Sequence, residues 1–353
     1  MKLSSTAPLL VRADAGPAIG TGHLIRCLAL GQAWRDRGGA VVFATATRSE
    51  RLLSLLDQER FEIQSVPAPH PDPGDAEHTI RAIGDHHPAW IAVDGYAFDE
   101  AYYAKLKTKS NLSMAVDDTA HLSRYDMDLV LNPNAHATLL TYATPPGTRL
   151  LLGPQFVLLR KEFRATRRGA KQIPDRAERL FVSLGGADPW NATSKVVNAL
   201  GHLTSGDLVA SIVVGPLNPF QAALEQLVAG DPRLTLVQTP AEVASLMKSS
   251  DLAIVSGGTT VWELAFMGTP ALVLESGPQE RLLVRGLEKI HLFRGIGSAT
   301  ETSERSIEAS IEAAVQDRAW RSTMSERGRR LVDGKGSERA VSEMIATKVS
   351  PDA

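Results

Sequence analysis

Short apolar runs recur along this chain, each ending at Gly, Asp or Asn. Between them lie segments whose apolar residues repeat at helical spacing. The runs at 7–11, 41–45, 90–94, 114–118 and 129–132 predict strands, and 49–56 and 98–107 predict helices. After a break the alternation resumes, with strand patterns at 180–184, 210–214, 234–237, 252–255 and 271–274. From about Ser303 the pattern is helical only. Strands that are apolar on both faces and alternate with helices predict parallel sheets covered on both sides, an α/β fold. Ligands of such sheets bind at the carboxyl ends of the strands.

The break, 160–177, is basic and polar and has no strand pattern. Its charge fits a solvated connector better than a nucleic-acid patch, because the chain as a whole carries a net charge of −2. The expected organisation is therefore an N-terminal domain over 1–160, a linker over 161–177, and a C-terminal domain with terminal helices over 178–353. At 353 residues there is enough chain for two cores. Apolar content of 43% and charged content of 22% are those of a soluble globular protein. The single cysteine, Cys27, excludes an internal disulfide and a Cys-based zinc site. No apolar run reaches the roughly 18 residues of a membrane span, and the first residues have too short an apolar core for a secretory signal. A cytoplasmic enzyme without nucleic-acid partners is the expectation.

Three glycine turns carry candidate chemistry. The first, Gly16-Pro-Ala-Ile-Gly20-Thr-Gly22-His23, joins the first strand to a helix marked by Leu24, Leu28 and Trp34 and closed by Gly38-Gly39. A helix start presents unpaired N–H groups and positive partial charge. Glycines let a ligand approach that backbone, so the turn suits phosphate. His23 at its exit adds a group able to move a proton near pH 7, and Arg26 lies one turn further on. The second turn is Ser183-Leu-Gly185-Gly186-Ala-Asp188. The third, Ser256-Gly257-Gly258-Thr259-Thr260, opens a helix that Gly268 closes. Glycines followed by hydroxyls at a helix start suit a diphosphate. Glu263, four residues after Thr259, is placed to accept both hydroxyls of a ribose; its other reading is a carboxylate favouring the helix dipole.

Taken together, Gly20 to Cys27, Val116-Asp-Asp118, Leu131-Asn-Pro-Asn134, and the stretches 152–160, 183–189 and 256–265 resemble the pseudaminic-acid-pathway UDP-sugar hydrolases and the related spore-coat polysaccharide proteins. The second half also resembles the glycosyltransferases of the lipid II pathway. The resemblance runs in order from about residue 9 to 297. It implies a GT-B fold, two Rossmann-like domains with a UDP-sugar in the interdomain cleft and the nucleotide mainly in the C-terminal one. It implies metal-independent hydrolysis of a UDP-2,4-diacetamido-2,4,6-trideoxy-hexose to UDP and free sugar, within nonulosonic-acid or surface-polysaccharide synthesis, with no cofactor. Gln279 then helps to place the donor, and Arg26, Asp117, Asp118, Asn132 and Asn134 lie on the sugar side. Two positions depart from the pattern: Pro278 replaces a common Asn, and Gly95 stands where the hydrolases commonly have His before Tyr96.

Cleavage of an anomeric C–O bond to UDP needs stabilisation of the departing diphosphate, which helix starts supply without metal. It also needs a base for the attacking water, a role His23 can fill. Asp14, at the end of the first strand, is placed to orient His23 or the water, and Tyr96 to contact the sugar. Asp117 and Asp118 either take part directly or cap the segment that follows. His121, His136 and His291 read as packing or surface residues, with His136 the one closest to a candidate motif. A glycosyltransferase using the same donor, or a nucleotide-sugar-binding protein without turnover, are the competing classes.

Overall fold

The apolar runs become strands of two parallel sheets, all of them inner except 234–237, which forms an edge. In the computed structural model, residues 8–107, 112–167, 169–203, 208–238, 242–277 and 280–347 are described. The first sheet contains β1 (Leu9–Ala13), β2 (Val41–Thr45), β3 (Glu62–Ser65), β4 (Trp90–Asp94), β5 (Ser113–Val116), β6 (Leu129–Asn132) and β7 (Arg149–Leu152), in the order β3-β2-β1-β4-β5-β6-β7. The second contains β8 (Arg179–Ser183), β9 (Val209–Val213), β10 (Leu234–Val237), β11 (Leu252–Ser256), β12 (Ala271–Glu275) and β13 (Arg294–Ser298), in the order β10-β9-β8-β11-β12-β13. Strands β1, β2, β4, β5, β6 and β11 are buried along their whole length. Water is excluded from both faces, so Val, Ile, Leu and Ala occupy successive positions and not only alternate ones. One core joins Leu10, Ile91, Val93, Ala115 and Val130 to Phe98 and Tyr102, and a separate one forms around Leu180, Val182, Ile212, Ile254 and Leu272.

Each sheet reverses its strand order once, between β1 and β4 in the first and between β8 and β11 in the second. At such a switch point the two connections leave in opposite directions and open a crevice at the carboxyl ends of the strands. Register places Asp94 beside Ala13 and beside Val116, so the ends of β1, β4 and β5 are level.

The chain divides into two units. The first runs to Lys161 and takes back the chain from Gly334; the second is Glu162–Asp333. This differs from the expected split at 178, with all later helices in the second domain. The basic segment begins with a helix, Lys161–Thr166, whose residues from Glu162 on group with the second unit. The last helix, Gly336–Ala346, returns to the first unit and packs on the helix Gly22–Asp36. Arg37 Nη2 donates to Ser342 Oγ at 3.0 Å. Gly336 makes the return possible: a Cβ there would lie 2.2 Å from the Val157 carbonyl oxygen.

Candidate active site

The turn after β1 is a small closed loop. Gly20 N–H donates to Gly16 O at 2.7 Å and Gly16 N–H to Gly20 O at 3.1 Å, with Gly20 at φ +80. The helix that follows begins at Gly22, has no side-chain cap and no acidic residue in its first turn, and so keeps its N-terminal N–H groups for an anion. His23 is its second residue and is buried.

His23 meets the end of β4. Its Nδ1 is 2.6 Å from Asp94 Oδ1, and its ring stands edge-on to Tyr96 with centroids 4.8 Å apart. Arg26, one turn along the same helix, donates from Nε to Asp94 Oδ2 at 2.6 Å and from Nη2 to Oδ1 at 2.7 Å. Its Nη1 donates to both oxygens of Asp118 at 2.8 and 2.7 Å. Asp118 also accepts from Tyr96 OH at 2.8 Å and from Asn134 Nδ2 at 2.6 Å. Thus two strand-end carboxylates clamp one guanidinium, and the histidine and tyrosine hang on them.

The electrostatics fix the histidine's tautomer. Burial alone would raise the Asp94 carboxyl, but the charges of Arg26 and then His23 outweigh it and hold Asp94 well below the usual carboxylate range. An ionised Asp94 only accepts, so His23 Nδ1 carries the proton and donates it. The Nε2 lone pair is left available to a ligand or a water. Burial works against the Arg26 charge, yet Asp118 and Asp94 raise its pKa well above the usual value. Tyr96 is raised too, by burial and then by Asp118, and stays a neutral donor. Burial, followed by the Asp94 charge, pushes the thiol of buried Cys27 up, which makes it a packing residue.

Several expected residues turn out to serve other groups. Asp14 does not orient His23. Alternation along β1 puts Arg12 and Asp14 on one face, and Asp14 Oδ1 accepts from Arg12 Nη1 at 2.5 Å and from Ala46 N at 2.7 Å. The orienting carboxylate is Asp94, which ends the run 90–94 and had been read only as a strand end. The available signal was Val93-Asp-Gly-Tyr96, a carboxylate closing the strand next to β1. Arg26 spends its donors on the two carboxylates and so is a positioning residue. Asp117 caps the next turn: it accepts from Thr119 N and Ala120 N, each at 2.7 Å, from Tyr125 OH, and lies 2.7 Å from His121 Nδ1. Asn132 is fully buried and holds Asn134 and Tyr142. His136 bonds the Asp118 carbonyl through Nε2 at 2.8 Å and so steadies that loop. A Cβ on Gly95 would lie 2.8 Å from the Phe98 ring, which accounts for glycine before Tyr96.

In the second unit the turns after β8 and β11 lie side by side at the switch point. Gly185 has φ +93, and a Cβ on it would sit 3.4 Å from Ser256 Oγ. Gly186 passes so close to Gly215 that a Cβ on the latter would lie 2.3 Å from the Gly186 carbonyl oxygen. Asp188 caps the helix Ala192–His202 by accepting from Ala192 N and Thr193 N at 2.8 and 2.9 Å. The helix Thr260–Met267 starts at Thr259 without a side-chain cap, and Glu263 is buried in its first turn. One N–H of the turn is already taken: Gly257 N donates to Glu280 Oε2 at 2.9 Å, and the same carboxylate accepts from Ser276 N and Ser276 Oγ. Burial raises the Glu280 carboxyl, against these hydrogen bonds. Gly258, Thr259 and Thr260 are therefore the N–H groups left to an anion. Gln279 lies outside the described residues. Among the described residues no group of three or more His, Cys, Asp or Glu could hold a metal ion, and no helix is long and apolar enough to cross a membrane.

No protein-family model matches the chain. It is 24% identical over 326 residues to the spore coat polysaccharide biosynthesis protein SpsG of Bacillus subtilis, covering 92% of this chain and 94% of that one. It is also 24% identical over 259 residues to the UDP-2,4-diacetamido-2,4,6-trideoxy-beta-L-altropyranose hydrolase of Campylobacter jejuni, covering 72% and 86%. Among solved structures, MurG of Acinetobacter baumannii superimposes with a TM-score of 0.64 over 96% of this chain and 100% of that one, at 14% identity. The chain is thus a distant homologue of SpsG and of the UDP-sugar hydrolases, built on the GT-B fold.

Proposed function

We propose that this protein hydrolyses a UDP-activated amino- or deoxy-sugar without a metal ion, giving UDP and the free sugar, in nonulosonic-acid or surface-polysaccharide synthesis. The observation that carries the reading is the Asp94–His23 pair at the β1/β4 switch point, with Nδ1 held and Nε2 available. Nε2 takes a proton from water as the water oxygen bonds to the anomeric carbon. The bond from that carbon to the diphosphate oxygen breaks, and its electron pair leaves with UDP. The imidazolium is stabilised by ionised Asp94 and then returns its proton to solvent. Tyr96, fixed by Asp118, contacts the sugar. The uncapped helix start at Thr260 stabilises the diphosphate. The substrate named for the Campylobacter jejuni relative supports a 2,4-diacetamido-2,4,6-trideoxy sugar.

The test is incubation with a panel of UDP-sugars followed by proton NMR. Free sugar and UDP are expected from a diacetamido-trideoxy donor, at the same rate with and without EDTA. Turnover that stops in EDTA and returns with magnesium contradicts the metal-free mechanism. Consumption of donor only when a hydroxyl acceptor is added identifies a glycosyltransferase instead.

Ribose recognition by Glu263 makes a separate expectation. Glu263→Ala weakens UDP binding by about 1–3 kcal/mol, since two ribose hydroxyls lose a charged acceptor. Calorimetry that finds unchanged affinity removes Glu263 from the nucleotide site and leaves it the helix-dipole role.

A further inference from the structure

At the opposite end of the second sheet lies a cavity of about 210 Å³ that the proposed reaction does not use. Arg179 at the start of β8 lines it, whereas the glycine turn leaves the other end of that strand. Four residue rises put the two roughly 13 Å apart. The other charged walls are Arg167 and Lys171 from the connector, Lys248, Arg329 and Asp251.

Apart from Lys248, these side chains are hydrogen-bonded, mostly to neutral groups. Lys171 Nζ donates to the carbonyls of Lys248 (2.5 Å) and Ser250. Arg329 donates to Gly169 O at 2.7 Å, and Arg167 to Val332 O and Arg329 O at 3.1 and 3.2 Å. Asp251 is saturated by Glu178 N, Arg179 N and the Arg179 guanidinium. Five cations therefore line the cavity with one carboxylate, and Asp333 acts on Arg167 from outside the lining. The helices Val243–Ser249, Thr260–Met267 and Arg318–Leu331 also end here. Each helix end contributes about half a negative charge. With all three counted and Asp333 set against Arg167, about one to two positive charges remain without a counter-charge. The strain is visible in the groups themselves. Burial pushes the Lys171 ammonium down to about 8; Asp251 opposes this, and Arg179, Arg329 and Lys248 add to it. Arg167 is lowered as well, by burial and then by Arg329.

We propose that this basic cavity is a second ligand site, for a small soluble dianion of the phosphate class. Its size matches about seven waters, enough for a phosphate group and a few further atoms. Free phosphate and the phosphate of a sugar monoester share this chemistry. Binding of either ties Arg167 and Lys171 to the β8/β11 end of the sheet.

The test is calorimetry of the full chain with inorganic phosphate and, in a second arm, glucose 6-phosphate, each against chloride at equal ionic strength. Saturating UDP, which occupies the glycine turns, is the control for the nucleotide end. Lys248→Gln is the main variant, because its ammonium has no hydrogen bond or ion pair among the described residues and its loss removes charge without a contact. Arg179→Gln is the second. Phosphate binding is expected in the wild type with and without UDP, and about tenfold or more weaker in each cavity variant. Tighter binding in the sugar-phosphate arm makes the monoester the ligand; equal or weaker binding makes it free phosphate. No binding beyond chloride, or undiminished binding in folded Lys248→Gln, overturns the site. Loss of phosphate binding once UDP is saturating also overturns it, by moving the anion to the glycine turns. The outcome stands apart from the hydrolase reading, which can fail while the cavity still binds.

Discussion

His23→Asn lowers kcat by roughly 10²–10⁴ while UDP affinity stays within about twofold of wild type. The asparagine keeps a polar group of similar reach at the second helical position but has no lone pair that can take a proton near neutrality. A role confined to the diphosphate gives the opposite split, with weaker UDP binding and a smaller change in kcat. Turnover at the wild-type rate by the variant rules out His23 as the base. The next candidate is then Asp118, whose oxygens face Tyr96.

Why His23 was legible in the sequence and Asp94 was not follows from how each acts. The glycines around His23 are a backbone requirement, and backbone requirements leave a local mark: Gly20 needs its positive φ, and the helix after it needs an open start. Asp94 acts only across the sheet, through a register that pairs it with Ala13 and Val116. Nothing within five residues of it states that β4 lies next to β1. The same difference explains the strands. Inner runs such as Val41–Thr45 and Leu252–Ser256 are apolar over their first four residues and buried along their whole length, and their pattern is unambiguous. Strands β3, β7 and β13 lie at sheet edges, half-exposed, with sequences Glu-Ile-Gln-Ser, Arg-Leu-Leu-Leu and Arg-Gly-Ile-Gly-Ser that lack such a run. The return of the last helix to the first unit rests on one close backbone approach at Gly336, which no periodicity reports. Asp14 misled for a related reason. A carboxylate at the end of β1 is in the right place for a site, but a buried arginine two residues earlier on the same face claims it.

Asp94→Asn is expected to reduce kcat nearly as far as loss of the histidine itself, by roughly 10²–10⁴. In a Ser–His–Asp site the equivalent change costs about 10⁴ because the imidazole adopts the wrong tautomer. Here the carboxamide can present N–H to Nδ1, which sends the ring proton to Nε2 and removes the lone pair that faces the water. The variant also loses the negative charge that stabilises the imidazolium formed as the water gives up its proton. Stability changes as well, since Arg26 keeps only Asp118 as a charged partner; breaking one side of a buried pair costs about 3–5 kcal/mol. Melting temperature is therefore measured alongside, and rates are compared well below it. The double variant with His23→Asn separates the two effects. If Asp94 acts through His23, the pair is strongly non-additive and the double variant is hardly slower than His23→Asn alone. Additive losses in the folded double variant place Asp94 outside the proton path and leave it only as an anchor for Arg26.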